Sequence, residues 1–316
     1  MSDLDRQLRE MLSCCWTGSV AWGEPLSRWS TLRVGGPARA MVRPGDSEAV
    51  RRLIMGCEEA GLPCLVIGGG SNLLVSDAGF SGLVLALGRD FSAISECGID
   101  QDGLSLVEVQ AGCSLARLLA WSQRRGLSGL EFSVGIPGSV GGAVMMNAGA
   151  WGREIKDVLS GLQLVLPGGV AENRERRALE FSYRRWFAPA GALVLSATFA
   201  LTPGAPAEIK ALCRQYMRAR RDKQPHGVAS AGSFFKNPPG DYAGRLIEAA
   251  GLKGLTVGGA AVSKVHANFL VNTGRATAAE MLTLMRLVQE KVMAGYGVWL
   301  EPEVRIIGES VPPVGS

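Results

Sequence analysis

Five short segments of this 316-residue chain combine residue types that do chemistry. The first is Gly68-Gly69-Gly70-Ser71-Asn72-Leu73-Leu74, directly after the apolar run Cys64–Ile67. Consecutive glycines let backbone N–H groups line a concave anion site, and the missing Cβ atoms admit a diphosphate. Ser71 and Asn72 add hydrogen-bonding groups, although an ordinary strand-end turn reads the same way. No Gly-Lys-Ser/Thr ending follows, and the helix and downstream acid of a dinucleotide-binding G-x-G-x-x-G are not evident. The second segment is Gly135-Ile136-Pro137-Gly138-Ser139-Val140-Gly141-Gly142-Ala143, continuing to Asn147-Ala148-Gly149-Ala150. Its small side chains would let a flat ring or a pyrophosphate lie against backbone, or would permit tight helix packing. Two such turns favour one extended dinucleotide held between them.

The third segment is Gly232-Ser233-Phe234-Phe235-Lys236-Asn237-Pro238, where aromatics could exclude water around the Ser233 hydroxyl. No base or acid stands beside Ser233, so a Ser-His-Asp hydrolase cannot be assembled from local motifs. The fourth is Phe181-Ser182-Tyr183-Arg184-Arg185, in which one arginine could fork a carboxylate and which alone reads as two solvated charges. The fifth is Leu300-Glu301-Pro302-Glu303-Val304-Arg305. On a strand Glu301 and Glu303 would point to the same side, and Pro302 implies an edge or a bend.

The elements that must position these residues follow from periodicity. An N-terminal helix and a loose arm with Trp16, Trp22 and Trp29 precede a strand over Thr31–Pro44, broken at Gly35-Gly36. Residues 46–60 form an amphipathic helix capped by Asp46 or Ser47, with Val50, Leu53, Ile54 and Cys57 on one face and Gly61 as its stop. Strands follow at 64–67, 83–87 and 104–112. Ser114 caps a helix that ends at Gly126. Strands recur at 162–166 and 193–201, with the basic stretch between them read as solvated surface. A linker at 203–206 leads into a helix carrying Ile209, Leu212, Cys213 and Tyr216. Thr277 and Glu280 form a capping box for a helix ended by Gly295 and followed by a strand over Val298–Ile307. The expected fold class is α/β (α+β), with domains at 1–88, 89–203 and 204–316.

Bulk properties narrow the function classes. A net charge of +4, from 33 Lys+Arg against 29 Asp+Glu, is too small for its length to argue for nucleic acid. Seven cysteines without a C-x-x-C pair, and two histidines, argue against a zinc site and for scattered, reduced, mostly buried thiols. The charged N-terminus lacks a signal-type apolar core and no apolar run spans a bilayer, so the expected location is cytoplasmic, with no membrane and no metal.

Taken together, TLRVGGPA, IGGGSNLL, GIPGSVGGAVMMNAGA, FSYR, GSFFKNP, VGGAAVSKVHANFLVN and LEPEVRIIG resemble the UDP-N-acetylenolpyruvoylglucosamine reductases, from about Thr31 to Gly308. The resemblance implies an FAD-binding fold of the vanillyl-alcohol oxidase type, with two α/β units clasping non-covalent FAD and a third over the substrate. It implies reduction of the flavin by NADPH and hydride transfer to the enolpyruvyl group of a UDP-amino-sugar, a step in bacterial cell-wall building. By motif, Ser233 corresponds to the proton donor, and Arg184 and Glu303 to the residues that stabilise the enolate. FAD would use Gly68, Gly69, Gly70, Ser71, Asn72 and Leu73 together with Gly135, Ile136, Pro137, Gly138, Ser139, Gly141 and Gly142. Tyr183, Lys223, Asn237 and Lys264 would contact the substrate, Lys223 and Asn237 at its diphosphate. The short span between Tyr183 and Leu193 marks the subtype without a tyrosine-bearing loop, and a monomer is expected. Two alternatives are a sugar or hydroxy-acid oxidase of the same fold and a non-enzymatic nucleotide-binding regulator.

Overall fold

A computed structural model describes residues 2–308. Its α-helices are α1 (Asp3–Cys15), α2 (Ser47–Glu59), α3 (Leu115–Arg125), α4 (Val140–Met145), α5 (Pro206–Lys223), α6 (Ala243–Ala249) and α7 (Ala278–Tyr296). The chain forms two compact units. The first takes in residues 2–21, Ala40–Gly69 and Gly82–Arg220; the second takes in Trp22–Arg39, Gly70–Ser81 and residues 221–308. The chain passes from one to the other five times: inside the strands Ala21–Pro25, Pro37–Val42 and Phe80–Ala86, between Gly69 and Gly70, and near the end of α5.

In the first unit, α2 starts where the Asp46 carboxylate accepts the Ala49 N–H, and it buries Val50, Leu53, Ile54 and Cys57. The strand Cys64–Ile67 then runs parallel to Leu83–Ala86 and delivers Gly68 at its C-terminal end. A larger antiparallel sheet places Val170–Glu175, Leu159–Leu166, Leu193–Pro203, Ser105–Gln110 and Ile94–Ile99 side by side in that order. The basic stretch expected as plain surface is thus partly an edge strand. Its polar side chains suit that place, because charge on an edge discourages pairing with other chains. Ser114 caps α3 by accepting the Arg117 N–H, and Gly126 closes it in the left-handed conformation, as its sequence predicts.

The N-terminal arm is not loose. Ala21–Pro25 is a strand, a 3-10 turn follows at Leu26–Arg28, and the Trp29 indole N–H donates to Glu24. The thiols are also less sheltered than expected, with Cys57, Cys113 and Cys213 buried and Cys14, Cys64 and Cys97 exposed; all seven are free.

The second unit packs α6 and α7 against a small antiparallel sheet of Ala229–Ser230, Leu270–Asn272, Ala260–Val262 and Thr256–Val257. Its core includes Phe234, Phe235, Leu246, Ile247, Met281, Leu284, Met285 and Val288. The Thr277–Glu280 capping box opens α7, and the Asp77 carboxylate accepts the next two free donors, Ala278 N–H and Ala279 N–H. The helix runs one residue past Gly295 and closes on Gly297. The strand expected over Val298–Ile307 shrinks to Arg305–Ile307, parallel to Leu73–Val75, plus a single bridge between Pro302 and Phe235. Pro302 has no N–H for a ladder, which is why regular pairing stops there. No helix among the described residues is long and apolar enough to cross a membrane.

Candidate active site

The two glycine-rich segments meet in the first unit. A Cβ on Gly68 would lie 2.0 Å from Ser139 Oγ, and one on Gly69 would lie 2.7 Å from Gly138 Cα. Only glycine permits this approach, so the two turns present backbone to each other and to anything bound there. Ser139 also caps α4, its hydroxyl accepting the Gly142 N–H at 3.4 Å. A Cβ on Gly141 would press on Ala111 at 2.8 Å, which sets α4 tightly against the sheet. Such a bare backbone surface fits the diphosphate of a dinucleotide.

Arg184 stands on a tight hairpin of the same unit, where Ser182 pairs with Arg185 and Tyr183-Arg184 form the turn. Its φ is +57°, a left-handed conformation that costs a non-glycine residue about 1 kcal/mol or more. Its side chain is 19% exposed; Nη2 donates to Gly149 O at 2.9 Å and Nη1 lies 3.9 Å from Glu154 Oε1. Burial, and then the positive charge of Arg184, hold the guanidinium of Arg220 below its ordinary pKa. Arg220 packs its Cδ where a Cβ on Gly135 would lie, at 2.7 Å. Two repelling, partly desolvated guanidinium groups make a place that favours an anion. Trp151, also at positive φ, stacks on Tyr216 with ring centres 4.7 Å apart.

Ser233 and Glu303 lie in the second unit, on two segments held by a short antiparallel ladder. The Glu303 N–H donates to Phe234 O at 2.9 Å and the Lys236 N–H to Glu301 O at 2.9 Å, on either side of the Phe235–Pro302 bridge. Ser233 and Glu303 are both half-buried. Phe234 and Phe235 are fully buried beside Ser233, and Asn268 ties down their backbone. Its carbonyl accepts the Phe234 N–H, while its side chain accepts the Phe235 N–H and donates to Phe235 O. Asn72 joins this group: its Nδ2 donates to Glu303 O at 3.0 Å, and its carbonyl accepts the Arg305 N–H. Glu301 and Glu303 do not act alike. Glu301 is exposed and pairs with Lys236, whereas Glu303 is drawn inward.

The remaining sequence-predicted residues are spread more widely. Tyr183 is 45% exposed, and the Arg184 guanidinium carbon sits 5.0 Å from its ring centre. Lys223 is exposed at the end of α5. Asn237 is exposed and caps the start of α6 by accepting the Ala243 N–H. Lys264 is exposed near Gly254. Arg220, Glu154 and Asn268 escaped the sequence reading. Arg220 sits in the run Arg218-Ala219-Arg220-Arg221, where helical spacing could have placed it with Cys213 and Met217 on the inner side. Nothing local marks the other two. Among the described residues, no cluster of three His, Cys, Asp or Glu could hold a metal ion.

Residues 224–307 match the family model described as the C-terminal domain of UDP-N-acetylenolpyruvoylglucosamine reductase, and residues 38–173 match an FAD binding domain. A reductase of that name from Agathobacter rectalis is 46% identical over 293 residues, covering 90% of this chain and 93% of the relative. A second, from Symbiobacterium thermophilum, is 43% identical over 311 residues, with 98% of each chain covered. The crystal structure of the Thermus caldophilus enzyme is similar to this chain with a TM-score of 0.77 at 38% identity, covering 92% of this chain and 98% of that one. The fold is therefore mixed α/β, an FAD binding domain joined to the C-terminal domain of these reductases. Because the likeness runs nearly end to end and takes in both the glycine-rich segments and the Ser233–Glu303 ladder, the chain belongs to the UDP-N-acetylenolpyruvoylglucosamine reductase family.

Proposed function

We propose that this chain uses FAD and NADPH to reduce UDP-N-acetylglucosamine enolpyruvate to UDP-N-acetylmuramate, in peptidoglycan precursor synthesis. When bound, FAD would supply a two-electron hydride relay between NADPH and the enolpyruvyl methylene carbon. The chain's own residues hold the reactants and manage charge and protons. Gly68–Leu73, Gly135–Ser139, Gly141 and Gly142 hold the cofactor through backbone groups. Arg184 forks the substrate carboxylate as negative charge develops on the enolate. Ser233 gives its hydroxyl proton to the carbon next to that carboxylate. Glu303, in its protonated form, donates a hydrogen bond to the enolate, since a second anion would oppose its formation. Tyr183, Lys223, Asn237 and Lys264 contact the UDP-sugar.

The observation that supports this reading is the ladder joining Phe234 to Glu303, which sets the segment that carries Ser233 beside the one that carries Glu303. The cofactor is held without a covalent bond. Cys113 is fully buried, with its thiol pushed up by burial. The protein works as a cytoplasmic monomer, apart from membranes and nucleic acid. A visible spectrum of the purified protein tests the reading. A yellow protein whose colour is released by acid, bleached by NADPH and restored by the enolpyruvyl sugar is expected. A colourless protein that takes up no FAD would refute it.

A further inference from the structure

Asn147 is fully buried and holds a φ of +44°. Asparagine tolerates that conformation better than most residues, but it is still one the chain must stabilise. Its side-chain amide is spent on two other segments, the stretch Glu154–Lys156 and the start of the Tyr183-Arg184 turn. Nδ2 donates to Glu154 Oε2 at 2.9 Å and to Ser182 O at 3.1 Å, and Oδ1 accepts the Lys156 N–H at 3.1 Å. Each of these leads to Arg184. Ser182 opens the turn that carries Arg184. Glu154 offers its other oxygen, Oε1, to Arg184 Nη1 at 3.9 Å, while Lys156 Nζ shares Oε2 at 2.9 Å. Gly149, two residues beyond Asn147, accepts from Arg184 Nη2 at 2.9 Å.

We propose that Asn147 is a positioning residue for Arg184, setting the base of its turn and both groups that fix its guanidinium edge. The proposal rests on the role given above to Arg184. The physical need is clear from the side chain itself. An arginine has about 2 kcal/mol of rotamer entropy to lose, and a fork is useful to a developing carboxylate charge only when held in register. Lys156 offsets part of the Glu154 charge, so Glu154 can orient Arg184 without cancelling it. The amide of Asn147 contacts the turn and the carboxylate together.

A double-mutant cycle tests this in the FAD-loaded protein, with Asn147→Ala, Arg184→Ala and the pair together. The readings are FAD content, melting temperature, the rate of flavin reduction by NADPH and the rate of reoxidation by the enolpyruvyl sugar. Asn147→Ala is expected to slow reoxidation about 10-fold or more, with reduction by NADPH within about 2-fold of the parent. Placed on Arg184→Ala, it is expected to slow reoxidation no further. Losses that multiply, or equal losses in both half-reactions, would overturn the proposal. An Arg184→Ala protein that reoxidises at the parent rate would overturn the reading of Arg184, and the positioning role with it. Should Asn147→Ala fail to hold FAD, Glu154→Gln in the same cycle takes its place. It keeps the size and an oxygen for the Asn147 amide, and the same non-additive pattern is expected.

Discussion

Asn72 and Glu303, 231 residues apart, are joined by a hydrogen bond of 3.0 Å from the Asn72 side chain to the Glu303 carbonyl. Asn72 lies in the first glycine-rich segment, so a residue expected to serve the cofactor and the residue expected to meet the enolate share one framework. The glutamate is held by its backbone on both sides, through Asn72 and through Phe234.

That fixed backbone makes substitution of the Glu303 side chain a clean test of its chemistry. Glutamine keeps the size and can donate a hydrogen bond. If Glu303 acts protonated, Glu303→Gln should retain more reoxidation activity than Glu303→Ala, which should lose about 3 kcal/mol of transition-state stabilisation or more. FAD content and reduction by NADPH should be kept. The check is the reoxidation rate against pH for the three proteins. A parent rate that rises as an acid group ionises, with glutamine no better than alanine, would contradict the donor role.

Ser233 lies beside two fully buried phenylalanines, so removing its hydroxyl should leave the surrounding core in place. Ser233→Ala should slow reoxidation by the enolpyruvyl sugar at least about 10²-fold, the usual scale for losing a positioned proton donor. Reduction by NADPH should change little, because that half-reaction places no proton on carbon. Ser233→Cys should recover part of the loss. Stopped-flow absorbance separates the two halves, and equal slowing of both would point to a structural role.

Gly68 and Ser139 are too close to admit a methyl group between the two glycine-rich turns. Gly68→Ala should therefore yield a folded protein with much less FAD, read from the ratio of visible to ultraviolet absorbance. Adding Ser139→Gly removes the clashing hydroxyl and should restore part of the cofactor. If Gly68→Ala binds FAD as the parent does, the close meeting of the turns is not what holds it.

His266 supplies a pH dependence in the second unit. Burial, and then the charge of Lys253, lower its pKa below the usual imidazole value near 6.5. Its Nδ1 accepts the Asn268 N–H at 3.2 Å, a bond that the protonated ring would lose. As pH falls below about 6.5 the unfolded chain takes up this proton before the folded one does, so stability is present above that pH and declines beneath it. The melting temperature should fall between about pH 7 and pH 5. It should fall less steeply in His266→Gln, as followed by circular dichroism. Equal slopes in both proteins would mean that other groups set the acid limit.

The local parts of this molecule are written in local sequence. The caps of α2, α3 and α7, with their spaced apolar residues, announce those helices, because a cap and an i, i+4 face involve only near neighbours. The motifs holding Arg184, Ser233 and Glu303 are legible for the same reason. The N-terminal strand is not, since its pairing depends on a partner beyond the next turn; nor is the edge strand at Val170–Glu175, whose hairpin with Leu159–Leu166 is masked by its charged, exposed composition. Arg220 against Gly135, Asn268 behind Phe235 and Asn147 beneath the Arg184 turn are of the same kind. Each joins residues whose spacing in sequence carries no periodic signal. Only the route of the chain, which interleaves three stretches in each compact unit, brings them within reach of one another. Sequence thus marks the candidate chemical groups, and tertiary structure decides which buried polar groups surround them, because a desolvated hydrogen bond forms only where packing has already placed both partners.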